Sequence, residues 1–86
     1  MKALIVDDEP LARQRLRRLL EGLHVEVVGE CTDGLAALSW LKENKEPDVC
    51  FLDIQMPGPS GLEIIAELPS ALAVVFVTAF DQHAVS

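Results

Sequence analysis

Short, wholly apolar runs recur along the chain and are separated by segments with helical spacing. Residues 3–6 (ALIV), 49–52 (VCFL) and 73–77 (AVVFV) contain no polar side chain, a pattern typical of β-strands that are buried in a sheet. Residues 25–30 (VEVVGE) alternate in part, which predicts an edge strand with one face in water. The pattern therefore predicts four strands.

Helix signals fill the gaps between these strands. A first helix is expected to begin near Pro10, which suits a first helical turn, and to end at Gly22. A second helix is expected after Asp33, and a third after Ser60, which has Glu63 at the spacing of a capping box. The first helix has an apolar stripe at Ala12, Leu16, Leu19, Leu20 and Leu23.

Strands that alternate with helices at this spacing require right-handed parallel crossovers. The sequence therefore predicts an α/β fold, an open parallel sheet with helices on both faces. With 86 residues, of which 50% are hydrophobic, the chain is expected to form a single domain over residues 1–86. Ligands of such sheets bind beyond the carboxyl ends of the strands, so the side chains there are the candidates for chemistry.

Charge and composition exclude several classes of function. Fourteen acidic and seven basic side chains give a formal charge of −7, which argues against direct contact of this chain with nucleic acid. No apolar stretch approaches the roughly 20 residues that cross a bilayer, so a cytoplasmic protein without membrane contact is expected. Cys50, in a predicted core strand, and Cys31, in a predicted loop, lack the spacing of a zinc site or a disulfide framework. The four arginines of the first helix are expected on a charged, solvated face: Arg13, Arg15, Arg17 and Arg18.

Oxygen-bearing side chains follow three of the predicted strands. Asp7 and Asp8 follow the first strand, Asp53 ends the third, and Thr78 follows the fourth. If the first and third strands are neighbours, about 4.8 Å apart, Asp8 and Asp53 can reach one ion. Crowded carboxylates repel one another, so at least one should have a raised pKa unless a cation lies among them. Because no thiol or imidazole is placed nearby, the oxygen ligands favour Mg²⁺, with Mn²⁺ as a surrogate.

A carboxylate beside such an ion can act as a nucleophile toward a phosphoryl group and form an acyl phosphate. The hydroxyl of Thr78 can then hydrogen-bond to the new phosphoryl oxygens and report phosphorylation by moving. This chemistry favours a switch over a metabolic enzyme.

Four segments together resemble the receiver domain of bacterial two-component response regulators, and the resemblance covers the whole chain. They are residues 6–10 (VDDEP), 52–58 (LDIQMPG), 60–63 (SGLE) and 77–80 (VTAF). Residues 8–13 (DEPLAR) and 78–84 (TAFDQHA) are similar, more narrowly, to regulators whose output is a LytTR-type DNA-binding domain. Such a domain would lie outside this chain, so a transcriptional role follows from the resemblance alone.

The resemblance implies a flavodoxin-like doubly wound sheet of strand order 2-1-3-4 and a site at its carboxyl edge. Asp53 matches the phosphoacceptor, which receives its phosphoryl group from a sensor histidine kinase. Asp7 and Asp8 match the acidic pair that holds magnesium, Asp8 directly and Asp7 mainly through water. The backbone carbonyl of Gln55 matches the remaining protein ligand. Two more positions carry over, the switch hydroxyl and the small residue that leaves access to the phosphoryl group: Thr78 and Ala79.

The chain also departs from the family pattern. The fifth strand, the lysine at its end and helix 5 do not occur within residues 1–86, and Pro59 stands where the family usually has a larger apolar residue. Without a fifth strand, residues 74–77 (VVFV) form an apolar sheet edge. The chain is therefore expected to be a receiver domain that is incomplete at its C-terminus; the alternative is a homodimer in which two copies complete each other, through pairing of this edge or through element exchange.

Two other classes of function compete with a phosphorylated receiver, which would not itself be an enzyme. A haloacid-dehalogenase-like phosphatase also uses an aspartate nucleophile and magnesium, and its nucleophile follows the first strand in a D-x-D pattern. Here position 9 is Glu in place of Asp, Asp7 and Asp8 are adjacent, and the 86 residues leave no room for a cap or a substrate pocket. The other is a pseudo-receiver or dimerising interaction module that is not phosphorylated. The complete set of acids argues against that degenerate state.

Overall fold

Strands and helices alternate along the chain as predicted. The computed structural model describes residues 1–54 and 61–77. Its strands and helices, in chain order, are β1 (Lys2–Val6), α1 (Pro10–Gly22), β2 (Glu26–Cys31), α2 (Gly34–Glu43), β3 (Val49–Asp53), α3 (Gly61–Glu67) and β4 (Ala73–Val77).

The four strands form one parallel sheet in the order β2-β1-β3-β4, which confirms the predicted α/β topology. β1 lies between β2 and β3, so the strand that ends in adjacent acids runs beside the strand that ends in Asp53. In register, Val6 lies opposite Leu52 of β3 and Cys31 of β2. The carboxyl ends of β1 and β3 therefore finish side by side.

Each face of the sheet has its own apolar core. On one face, Leu4 and Val6 of β1 pack with Cys50 and Leu52 of β3, beneath α2 and α3. On the other face, a smaller group packs beneath α1: Ala3, Ile5, Leu20 and Val49. Successive residues of β1 thus alternate between two buried faces, which explains why this strand is apolar throughout.

Helix α1 buries a narrower stripe than its sequence predicts. Leu16 and Leu20, four residues apart, pack against the sheet, whereas Leu19 and Leu23 are 61% and 64% exposed. Leu19 and Leu23, which belong to the apolar stripe of the sequence, are therefore not buried. Helical spacing places Leu16 and Leu20 in one row and turns Leu19 to the side, where no described residue covers it.

The end of α1 depends on a residue that the sequence did not single out. The helix ends at Gly22 as predicted, but His24 has the left-handed conformation, with φ of 63°. The amide N–H groups of Leu23, His24 and Val25 donate to carbonyls of the last turn, which satisfies groups that a helix end leaves free. The side chain of His24 is exposed.

Two further expectations concern the side chains on the face beneath α2 and α3. Trp40 packs partly buried against that core. Cys31 lies at the end of β2 and is only 6% exposed, so its predicted place in an accessible loop was wrong. Cys31 pairs in register with Val6 and extends the strand by one residue. Burial raises the pKa of Cys50 to about 12, consistent with an inert core thiol.

None of the helices described in residues 1–54 and 61–77 is long and apolar enough to cross a membrane.

Candidate functional site

Three carboxylates meet where β1 and β3 end. Asp7, Asp8 and Asp53 each offer an oxygen, and these oxygens all lie within 4.8 Å of one another. Asp7 and Asp53 are buried, at 7% and 8% exposure, while Asp8 faces solvent. The meeting of the three acids that the sequence predicted is therefore confirmed in the structure, and we refer to them as the carboxylate cluster.

Asp7 is fixed by hydrogen bonds on three sides. Its amide N–H donates to the carbonyl oxygen of Cys31 at 3.0 Å, which continues the β1–β2 ladder by one residue. Its carboxylate accepts from the amide N–H of Glu9 at 2.9 Å, and its carbonyl oxygen accepts from the guanidinium of Arg13 at 2.8 Å. The backbone that carries the two acids is thus tied to β2 and to α1.

The crowding has the electrostatic effect that the sequence predicted. The pKa of Asp7 is raised above its ordinary value of 3.8, chiefly by burial and further by the negative charges of Asp53 and Asp8. The hydrogen bond from the Glu9 amide opposes that rise. A cation among the three groups would relieve both the repulsion and the cost of burying the charge.

The donor set fits a hard divalent cation. All three groups are carboxylates, the ligands that Mg²⁺ and Mn²⁺ prefer. One of them, Asp8, is open to solvent, which leaves room for the water molecules that Mg²⁺ retains. The site can therefore hold a metal ion with part of its coordination free for a second ligand.

The other predicted site residues are Gln55, Thr78 and Ala79, which lie outside the described residues together with Pro59. β4 ends at Val77, which lies opposite Asp53 in register. The roles of these residues therefore stay predictions.

Two charged side chains next to the carboxylate cluster form an ion pair that the sequence pattern did not predict. Arg13 and Glu30 form an ion pair at 3.3 Å, with their side chains 18% and 30% exposed, so Arg13 is not part of a freely solvated helix face. Arg17 joins the same carboxylate at 2.8 Å. The spacing of Arg13 and Arg17 by one helical turn was a signal, but their partner could not be identified without the position of β2.

Comparison with known proteins then decides the family. The family model of the response regulator receiver domain matches residues 3–86 of the chain. The chain belongs to this family. Receiver domains take part in the phospho-signalling of two-component systems, they generally bind Mg²⁺ at an acidic pocket, and response regulators are generally phosphorylated by histidine kinases.

Among curated relatives, the receiver domain is similar to transcriptional regulatory proteins. It is 51% identical over 88 aligned residues to the transcriptional regulatory protein BtsR of Salmonella typhi, an alignment that covers 99% of this chain and 36% of that protein. For BtsR of Escherichia coli (strain K12) the identity is 48% with the same coverage. The chain thus spans about a third of the length of the curated relatives it matches.

Solved structures of receiver domains have the same fold. The structure of RcsB from Salmonella enterica serovar Typhimurium, bound to promoter rprA in the presence of the phosphomimetic BeF3−, matches with a TM-score of 0.84 at 28% identity, covering 99% of this chain and 74% of that one. The signal receiver domain of a modulated diguanylate cyclase from Desulfovibrio desulfuricans G20 matches with a TM-score of 0.81 at 31% identity, covering 98% and 69%.

Proposed function

We propose that this receiver domain accepts a phosphoryl group on Asp53 in a reaction that depends on Mg²⁺. One observation carries the proposal: oxygens of Asp7, Asp8 and Asp53, from the ends of two neighbouring strands, lie within 4.8 Å of one another. A set of carboxylates that crowds two buried members together is unfavourable unless a cation or a modification uses it.

Asp7, Asp8 and Asp53 would hold the ion together with the backbone carbonyl of Gln55. When bound, the ion neutralises the oxygens of the incoming phosphoryl group and aligns that group for in-line transfer. A carboxylate oxygen of Asp53 attacks the phosphorus atom of a phosphohistidine. The P–N bond breaks as the new P–O bond forms, and the electron pair returns to the imidazole nitrogen of the donor. The product on this chain is an acyl phosphate.

The burial of Asp53 adds a further step. Asp53 is buried, at 8% exposure, while Asp8 of the same cluster is open to solvent. The phosphoryl donor therefore approaches from the side of Asp8. Thr78 and Ala79 would follow β4, the hydroxyl of Thr78 taking up the new phosphoryl oxygens and Ala79 leaving access to them.

Intact-mass analysis after incubation with acetyl phosphate tests the proposal. We expect the purified protein to gain one phosphoryl group with Mg²⁺ and none with EDTA. Asp53→Asn should abolish the adduct, whereas Asp48→Asn, a matched change at an exposed aspartate before β3, should leave it intact. An adduct that persists in Asp53→Asn would refute the assignment of the acceptor. Absence of the adduct from wild-type protein, including a version extended through the lysine that family receivers carry, would refute phosphorylation altogether.

The partners and output follow from the same proposal. A sensor histidine kinase in the cytoplasm would supply the phosphoryl group, and the receiver would act as a regulatory phosphoacceptor, not as an enzyme with a separate substrate. Its relatives named BtsR are transcriptional regulatory proteins, which supports a transcriptional output. The similarity of residues 8–13 and 78–84 to LytTR-type regulators supports a DNA-binding domain outside this chain.

A second candidate, a dimerising interaction module, rests on the described edge of the sheet. Val75 and Phe76 of β4 are each 43% exposed, and β4 is the last strand of the described sheet. An apolar edge strand favours pairing with another strand. Sedimentation analysis with and without acetyl phosphate separates the two candidates, because a pure interaction module would dimerise without any phosphoryl adduct.

A further inference from the structure

The side chain of Arg13 bridges three elements next to the carboxylate cluster. Its Nη1 donates to the carbonyl oxygen of Asp7 at 2.8 Å, and its Nε lies 3.3 Å from Oε1 of Glu30 on β2. The side chain is only 18% exposed. A partly buried guanidinium with a partner on each side is held in one orientation, unlike an arginine on a solvated surface.

Glu30 is itself anchored, so it can fix Arg13 in turn. Its second carboxylate oxygen accepts from Nε of Arg17 at 2.8 Å. The planar guanidinium of Arg13 presents donors in several fixed directions, so it can hold a carboxylate on one edge and a carbonyl on another. A lysine ammonium, a point charge on a flexible stem, cannot reproduce both contacts in the same geometry.

The carbonyl that Arg13 holds belongs to the peptide that joins Asp7 to Asp8. Fixing this carbonyl fixes the plane of that peptide, and with it the direction in which the Asp8 side chain leaves the backbone. Asp8 has particular need of this support because it is exposed, whereas Asp7 and Asp53 are held by burial. Repulsion among the three acids would otherwise turn the exposed one away.

We propose that Arg13, clamped by Glu30, is a positioning residue of the carboxylate cluster: it holds the Asp7–Asp8 peptide so that both carboxylates face a bound divalent cation. This inference rests on the proposed metal-dependent function, and it adds a residue that touches neither the ion nor the phosphoryl group. Partners of this kind, which orient a ligand without binding the metal, commonly change metal affinity by about 10- to 100-fold.

Titration with Mn²⁺ tests the inference on the purified protein, with binding followed by calorimetry and by the electron paramagnetic resonance signal of the free ion. We expect Arg13→Gln to bind Mn²⁺ about tenfold more weakly than wild type. Arg13→Lys, which keeps the charge, should remain at least about threefold weaker, because it lacks the fork of donors. Arg18→Gln is the matched control: it removes the same charge from an exposed position of α1, outside the clamp formed with Glu30, and should bind within about twofold of wild type.

If Arg13 acted only through its charge, Arg13→Gln would have the opposite effect on metal affinity. Removal of a cation near a divalent site should strengthen metal binding, so tighter or unchanged binding by Arg13→Gln would overturn the inference. Full wild-type affinity in Arg13→Lys would also overturn it, because charge without the fork would then be sufficient. A wild-type protein that binds no Mn²⁺ would instead overturn the proposed function, and this inference with it.

A measurement without metal separates positioning from a general loss of structure. Amide hydrogen exchange at Asp8 and Glu9 should accelerate in Arg13→Gln, while exchange within β1 and β3 stays as in wild type. Equal exchange at Asp8 and Glu9 in both proteins would contradict the positioning role. Weaker binding of Mn²⁺ accompanied by faster exchange throughout β1 would assign the effect to folding and overturn the inference as well.

Discussion

Replacing Asp7 by asparagine should stabilise the metal-free protein at neutral pH. The amide has nearly the shape of the carboxylate, and its oxygen can still accept the hydrogen bond from the Glu9 amide. What the substitution removes is a buried negative charge that faces two others. The variant therefore isolates the electrostatic cost of the carboxylate cluster.

The magnitude follows from the separation of the charges. Oxygens of the carboxylate cluster lie within 4.8 Å of one another, and two unit charges at that limit repel by about 3.5 kcal/mol at an effective dielectric constant of 20. Two effects reduce this figure. Asp8 is exposed and its charge is screened by solvent, and the hydrogen bond from Glu9 loses about 1 kcal/mol when its acceptor becomes neutral. We therefore expect Asp7→Asn to raise the free energy of unfolding by about 1–2 kcal/mol.

Urea denaturation in EDTA at several pH values checks this expectation. The pKa of Asp7 is raised in the folded protein, so between the ordinary value and the raised one the folded chain binds more protons than the unfolded chain. The stability that this group contributes is therefore lost as the pH rises through that window. The advantage of Asp7→Asn should be present at pH 7 and should vanish below the ordinary pKa of 3.8.

The response to Mg²⁺ and the stability of Asp7→Asn in EDTA both test whether the cluster is strained by repulsion. Addition of Mg²⁺ should stabilise wild type by mass action and should stabilise Asp7→Asn much less. If Asp7→Asn proves less stable than wild type at pH 7 in EDTA, the hydrogen bond from Glu9 outweighs the repulsion, and the account of a strained carboxylate cluster is refuted. Glu43→Gln, a change from carboxylate to amide at an exposed position at the end of α2, serves as the control and should not raise the free energy of unfolding at pH 7.

Two further predictions concern packing and backbone conformation. Gly29→Ala should destabilise the protein by about 1–3 kcal/mol, because a Cβ there would lie 2.6 Å from the rigid indole of Trp40. Gly22→Ala is the control: no atom lies within 4 Å of a Cβ at that position, so the variant should be neutral or more stable by up to about 1 kcal/mol. Equal melting temperatures of the two variants would contradict the packing argument. His24→Gly should stabilise by about 0.5–1 kcal/mol, because φ is 63° at this position and glycine adopts that conformation without steric cost; His24→Ala should give no gain in the same denaturation assay, and an equal gain from both would show that relief of backbone strain is not the cause.

Much of the fold could be predicted from the sequence because the strands are short, apolar and strictly patterned. β1 is buried on both faces, and a strand so placed has no polar residue to blur its pattern. The acids that follow β1 and end β3 could be brought together by topology alone, since parallel neighbours end at one edge of the sheet. The helices bury one face only, so their sequence pattern does not determine which apolar side chains at the border of that face are buried.

Two details of α1 and β2 differ from the sequence pattern: the width of the buried helix face and the length of the strand. An apolar stripe does not reveal how wide a surface will cover it. Leu19 and Leu23 lie on the stripe of α1 but stay exposed, and Leu16 and Leu20 pack against the sheet. Cys31 was placed in a loop because its neighbours are polar, but β2 continues until it pairs with Val6. Both outcomes depend on packing between elements that are distant in sequence.

The core beneath the carboxylate cluster holds the ends of β1 and β3 side by side. Val6 and Leu52, the residues directly before Asp7 and Asp53, are both 0% exposed, so the two strand ends cannot move apart without opening the core. Repulsion between the buried acids therefore cannot relax through the backbone, and it persists until a proton, a cation or a covalent change removes charge from the cluster. A flexible loop with the same acids would spread them in solvent and hold an ion more weakly. The repulsion among the acids raises the free energy of the metal-free protein, and a bound cation removes that repulsion. We therefore expect the same cluster to destabilise the metal-free protein and to favour its metal-bound form.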